Sequence, residues 1–168
     1  MWQSECEKEV NRQIRMEYQA SYDYDLMSSY FDRNSVGLKN VARYFRKASD
    51  EERDHAHKLM EYQNKRGGKV VLGDLKGLPH DMISRESPLD VKDAFETAYK
   101  MEVTVYNSLL SLHKVGERNE DPQLTDFLEG EYLEEQIDAI SELEKYISQL
   151  KLIGNDGHGV WEFNNRLE

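Results

Sequence analysis

Residues 38–62 read LKNVARYFRKASDEERDHAHKLMEY. Leu38, Val41, Phe45, Ala48, Glu52, His55, Leu59 and Tyr62 recur there in steps of three and four. That spacing keeps all of them on one face of an α-helix and predicts a long amphipathic helix. Two of its inward positions are polar. Glu52 and His55 are three residues apart, so they sit side by side on the face that should be buried. Gly67-Gly68 stops the helix.

Upstream, Val10, Ile14, Glu17, Ser21, Tyr24, Ser28 and Phe31 form an equivalent stripe. It ends at Asp32-Arg33-Asn34-Ser35, whose short polar side chains favour a turn and a new N-cap. Downstream, the stretch from Lys69 to Asp90 carries Gly73, Gly77, Pro79 and Pro88 and reads as irregular or extended chain. Because an α-helix climbs about 1.5 Å per residue, a connection of that length returns along the whole bundle and makes the second and third helices parallel. The third stripe is Val91, Phe95, Ala98, Glu102, Val105, Leu109 and Leu112, followed by a polar turn from Gly116 to Pro122. The fourth is Leu128, Tyr132, Gln136, Ile140, Leu143, Ile147 and Leu150, ending before Gly154-Asn155-Asp156-Gly157. Val160 to Phe163 suit a short fifth helix. The expected fold is all-α: one domain over residues 1–168, a four-helix bundle with one long crossover and a stubby C-terminal helix.

Composition agrees. The 168 residues include 38% hydrophobic and 33% charged side chains with only 3 Pro, as expected of a helix-rich globular chain. No apolar run approaches the ~20 residues of a membrane span, and the N-terminus lacks the basic and apolar runs of a signal peptide. Cys6 is the only cysteine, which excludes an internal disulfide and favours a reducing compartment. With 33 acidic against 22 basic side chains the net charge is −11, which repels nucleic acid and concentrates cations at acidic openings.

Three helices therefore each carry one glutamate inside an apolar stripe: Glu17, Glu52 and Glu102. Burying isolated carboxylates costs several kcal/mol each, so they must be paired, protonated or coordinated. Coordination satisfies all three together with His55, and an oxygen-rich set with one imidazole suits iron or manganese, with zinc also accommodated. A symmetric di-iron bundle carries a second Glu-x-x-His pair. Here Val105 follows Glu102 by three, and the fourth helix offers Glu135, Gln136 and Asp138 without a histidine. One metal site should therefore be weaker than the other. Tyr24, two turns after Glu17, is within reach of a ligand.

The chain resembles the ferritin family, specifically its catalytic, heavy-type eukaryotic subunits. The likeness covers most of the chain. It is carried by Ala20-Ser21-Tyr22, Tyr30-Phe31-Asp32-Arg33, Glu51 through Met60, Gln63-Asn64-Lys65-Arg66-Gly67-Gly68, Ser108 through Lys114, and Tyr132-Leu133-Glu134-Glu135-Gln136. The tail Gly157-His158-Gly159-Val160-Trp161 is similar to plant and algal members. The resemblance implies a ferritin-like bundle assembled as a homo-oligomeric, twenty-four-subunit cage of octahedral symmetry. It also implies ferroxidase chemistry, in which two Fe(II) ions per subunit are oxidised to Fe(III) by dioxygen or peroxide and ferric oxide collects inside the cage.

Carried over residue by residue, Glu17 and His55 hold the first iron, Glu52 bridges both, and Glu102 holds the second, with Gln136 and Tyr24 close by. Glu51 and Glu135 match residues that pass iron toward or from the centre. Asp126 and Glu129 match those lining a threefold channel, where their spacing on one helical face gives an acidic ring. Departures accompany these matches. His57 stands where many members carry an inner-surface acid, Ala139 omits an acid some relatives use near the second iron, and Asp23 and Asp25 are unusual in the first helix. Thr125 and His113 lie near the expected channel mouth without an assigned role.

Retained ligands argue against a non-catalytic storage subunit, and one cysteine cannot build the iron site of a rubrerythrin-like peroxidase. A metal-free helical bundle that binds a partner is the alternative from another class. The compartment expected is the cytoplasm, or a plastid if a transit peptide has been removed.

Overall fold

The structure is a computed structural model describing residues 1–79 and 81–167. Its helices are α1 (Ser4–Phe31), α2 (Lys39–Lys65), α3 (Leu89–Arg118), α4 (Pro122–Leu128), α5 (Glu134–Ile153) and α6 (Gly157–Arg166). A π-helical turn, Glu129–Leu133, joins α4 to α5, so that these three segments make one interrupted fourth helix of the bundle. His80, inside the expected crossover, lies outside the described residues.

Each stripe found in the sequence faces inward. All seven positions of the first and all seven of the third are buried. In the second, Leu38 and Ala48 are partly covered, as is Ile140 in the fourth, and the remaining positions of both are buried. The apolar contacts form two clusters. One surrounds Phe31, Phe45 and Phe95, the other Ile14, Leu59 and Leu109. Each such side chain, once buried, contributes about 1.5–3 kcal/mol. Between the clusters lies a layer of buried polar groups that includes Glu17, Glu52, His55 and Glu102.

Direction along the bundle follows from the cross-contacts. The Ser21 and Ser49 hydroxyls are 2.9 Å apart and Gln63 donates to the Glu7 carbonyl at 2.8 Å, so α2 runs opposite to α1. Tyr30 donates to Asp90 at 2.9 Å at one end, and Arg118 pairs with Glu5 at the other, so α3 also runs opposite to α1. Helices α2 and α3 are therefore parallel, as the long connection requires. That connection is strapped to α1. Lys69 N donates to Glu7 Oε1 at 3.0 Å, Val71 N to Asn11 Oδ1 at 2.9 Å and Lys76 N to Gln19 Oε1 at 2.9 Å. Side chains on the outer face of α1 thus satisfy backbone groups that belong to no helix or sheet.

Four boundaries differ from the sequence reading. The turn after α1 does not supply a polar N-cap: α2 begins at Lys39 behind Leu38, and the Asn164 side chain of α6 accepts instead from Asn40 N and Val41 N, both at 3.1 Å. Helix α3 continues through Gly116 to Arg118, shortening the polar turn to Asn119–Asp121. Within α3, the missing side chain of Gly116 makes room for α4: a Cβ there would lie 3.1 Å from Thr125 Cγ2 and 3.3 Å from Leu124 Cδ2. The fourth helix begins six residues before Leu128, at Pro122, behind an Asp121 cap. The fifth helix is longer than Val160–Phe163, since Asp156 accepts from His158 N and Gly159 N and starts it at Gly157. Gly67, at φ +81°, ends α2 in the left-handed region as expected.

Asp121 also joins the ends of α2 and the fourth helix. Its carboxylate accepts from Leu124 N at 3.0 Å and takes both guanidinium nitrogens of Arg66, at 3.1 and 2.6 Å. Those hydrogen bonds hold its pKa below the usual 3.8. Asp121→Ala is expected to cost about 2–3 kcal/mol in urea denaturation, the sum of a lost cap and a charged hydrogen bond. Because the folded-state value is depressed, that contribution is present above pH 3.8 and fades as pH falls through the lower native value. The gap between parent and variant should therefore close at low pH.

Candidate metal centre

Glu17 comes from α1, and Glu52 and His55 from one turn of α2. One ligand atom from each lies within 4.8 Å of the others, and all three side chains are buried. Glu17 Oε2, Glu52 Oε2 and His55 Nδ1 have no partner within hydrogen-bond distance. His55 Nδ1 is 3.6 Å from Glu52 Oε2 and 3.9 Å from Glu17 Oε2. Its Nε2 lies 3.2 Å from Glu135 Oε1. A carboxylate on that side favours the proton on Nε2 and leaves the Nδ1 lone pair directed inward. Buried polar atoms are normally satisfied, so three that converge unsatisfied describe a socket for a cation.

Electrostatics point the same way. Burial, then the charge of Glu52, pushes Glu17 well above the usual carboxylate range. Burial, then the charge of Glu102, raises Glu52 to about 8. Without a cation the two carboxyls are relieved by retaining protons. A divalent ion replaces those protons and restores both charged forms.

Glu102, on α3, is arranged differently. Tyr24 donates to its Oε1 and Gln136 to its Oε2, and Gln136 also donates to its backbone carbonyl at 3.0 Å. Burial raises its pKa while those two donors oppose the rise. Both carboxylate oxygens already accept a hydrogen bond, so a cation must compete with Tyr24 and Gln136 for Glu102. One half of the layer is open to a cation and the other is held closed.

Beside the layer lies a cavity of about 240 Å³ whose lining includes Glu51, Glu52, His55, Glu102, Glu135 and Glu142. Glu51 and Glu135 stand exposed at its edge, with Lys47 3.9 Å from Glu51. Ala139 also lines it. Asp126 and Glu129 are exposed on the fourth helix, away from the socket. His113, unassigned from sequence, is 2.6 Å from Glu129 and 3.8 Å from Glu117. Asp25 pairs with Arg46 at 3.0 Å and Arg53 at 3.9 Å, tying α1 to α2. Asp23 is half-buried and accepts from Gln19 at 2.8 Å. His57 packs edge-on against Tyr18.

Sequence reasoning missed the π-helical turn. It holds Tyr132, whose hydroxyl donates to the His55 carbonyl at 2.7 Å and whose ring packs edge-on against the imidazole. The signal was available. Leu128, Tyr132, Gln136 and Ile140 follow one another in steps of four, and on a regular α-helix each such step overshoots a full turn by about 40°. Local unwinding absorbs the excess and keeps Tyr132 and Gln136 facing the site, a common use of π turns. Gln13 was missed too. It donates to Glu17 Oε1 at 2.8 Å.

Anaerobic titration with Co(II) is expected to show a tight first equivalent and a weaker second. His55→Ala should weaken the first at least tenfold. Glu102→Ala should leave the first unchanged and abolish the second, and equal loss of both would contradict the division into an open and a closed half.

A ferritin-like domain family model matches residues 7–153 of the chain. A chloroplastic ferritin of Phaseolus vulgaris is 48% identical over 163 residues, covering 97% of this chain and 63% of that protein. For ferritin-1, chloroplastic, of Pisum sativum the figures are 47%, 97% and 64%. Ferritin-3, chloroplastic, of Arabidopsis thaliana is 45% identical over 167 residues, covering 99% of this chain and 64% of its own length. The chain thus spans somewhat less than two thirds of the curated relatives it matches.

Proposed function

The chain belongs to the ferritin family, and from that premise we propose that it stores iron and acts as a ferroxidase, with residues 1–168 working as one domain. The observation carrying this reading is the convergence of three unsatisfied buried ligand atoms on Glu17, Glu52 and His55.

Iron is the substrate. The first Fe(II) binds Glu17, Glu52 and His55, displacing the protons that burial keeps on the carboxyls. Its charge then favours ionised Glu102, which turns from Tyr24 and Gln136 to hold the second Fe(II), with Glu52 shared between the two. Dioxygen takes one electron from each: two Fe(II), O₂ and two protons give two Fe(III) and hydrogen peroxide. With peroxide as oxidant, two Fe(II), H₂O₂ and two protons give two Fe(III) and two waters. Glu51 and Glu135, at the cavity edge, receive Fe(III) on its way to the mineral.

Asp126 and Glu129 line a channel where three copies meet, and the net charge of −11 supports cation attraction there. Assembly with further copies is supported by apolar side chains left open on the single chain, among them Val71, Leu72, Leu152 and Trp161, and a twenty-four-subunit cage is the assembly we propose for it. Residence in a plastid is supported by the chloroplastic names of the relatives. No helix among the described residues is long and apolar enough to cross a membrane.

Stopped-flow oxidation of Fe(II) tests the reading. Glu52→Ala removes a ligand from both ions, so the fast phase should fall at least a hundredfold while the cage still assembles, because a buried polar group and its desolvation cost leave together. An unchanged fast phase would contradict a centre at Glu52. Asp126→Asn with Glu129→Gln should slow the parent's fast phase severalfold at low salt and less at high salt, where screening shortens the reach of the ring. Equal rates at both salts would reject the channel.

A further inference from the structure

The two oxygens of Glu17 lie in different surroundings. Its Oε1 accepts from Gln13 Nε2 at 2.8 Å, while Oε2 faces His55 and Glu52 with no donor. Gln13 precedes Glu17 by one helical turn on α1 and is 1% exposed. Its own carbonyl oxygen accepts from the Ser108 hydroxyl of α3 at 2.6 Å. Burying an amide costs about 1–3 kcal/mol unless it is satisfied. Val10 and Ile14 beside it show that this part of α1 is otherwise apolar. Both polar ends of Gln13 are used, one by α3 and one by a ligand.

We propose that Gln13, anchored by Ser108, is a positioning residue that fixes Glu17 as a one-oxygen ligand, offering Oε2 alone to the cation at the Glu17, Glu52 and His55 site. This rests on the reading of Glu17 as a ligand given above. With Oε1 held by the amide, turning the carboxylate plane to present both oxygens to one ion costs that hydrogen bond. The remaining coordination positions stay free for Glu52, His55 and the oxidant. Removing the amide frees the carboxylate to rotate and to chelate with both oxygens, which changes the geometry at the metal as well as its affinity. Outer hydrogen bonds of this kind typically govern metal affinity by ten- to a hundredfold.

The test is anaerobic titration of the assembled protein with Co(II) alone, read by its visible d–d absorption, in the parent, Gln13→Leu and Ser108→Ala. Gln13→Leu should bind the first equivalent at least tenfold more weakly and with an altered band shape and intensity, leaving the second equivalent unchanged. Ser108→Ala should shift both readouts in the same direction by less. A Gln13→Leu protein with lowered thermal stability but parental affinity and spectrum would overturn the proposal, since the hydrogen bonds would then merely tie α1 to α3. If Gln13→Leu does not assemble, Ser108→Ala decides alone, and parental values for it overturn the proposal equally. A parent whose first Co(II) is unaffected by Glu17→Ala would instead remove the site on which the proposal rests, a distinct result.

Discussion

Glu17 and Glu52 put two carboxyls into the interior of a helical bundle, where burial and the charge of neighbouring carboxylates oppose their ionisation. The rest of the structure is organised around that cost. Apolar clusters above and below the polar layer supply the packing that holds that layer in place. Leaving a carboxylate unpaired in such an environment costs several kcal/mol. Stability is therefore conceded at one level of the bundle and recovered at the levels on either side, a distribution common at functional sites.

The crossover matters to the same layer. Parallel α2 and α3 bring the middle of α2, with Glu52 and His55, level with the middle of α3, with Glu102. A short hairpin would have reversed α3. The backbone of the connection is satisfied by Glu7, Asn11 and Gln19 from the outer face of α1. The inner face of the same helix supplies Gln13, Glu17 and Tyr24. One helix thus anchors both the topology and the site.

Much of this was legible in the sequence because helical periodicity is a strong signal over seven or eight repeats. Glu17, Glu52, His55 and Glu102 stood out as polar residues in otherwise apolar stripes, and all are buried together in one layer. What escaped is what periodicity does not carry. Gly116 reads as a helix stop, yet here it admits a neighbouring helix, a tertiary cause. The polar residues after Phe31 read as a cap, whereas the first amides of α2 are capped by a residue distant in sequence, Asn164 of α6, through its Oδ1. The π-helical turn hid in three successive steps of four because each step alone is ordinary. Gln13 hid because a glutamine one turn from a glutamate is common on solvated faces, and only burial of both makes the pair informative.

The central claim is that the buried layer is a two-iron centre bridged by Glu52. Crystals soaked anaerobically in Fe(II), with anomalous diffraction at the iron edge, test it most directly. The account predicts two iron peaks about 3–4 Å apart inside each subunit. Glu52 should be bonded to both, His55 to one through Nδ1, and Glu102 turned away from Tyr24 to meet the other. Iron found only on exposed carboxylates, with no peak within bonding distance of Glu52, would contradict it.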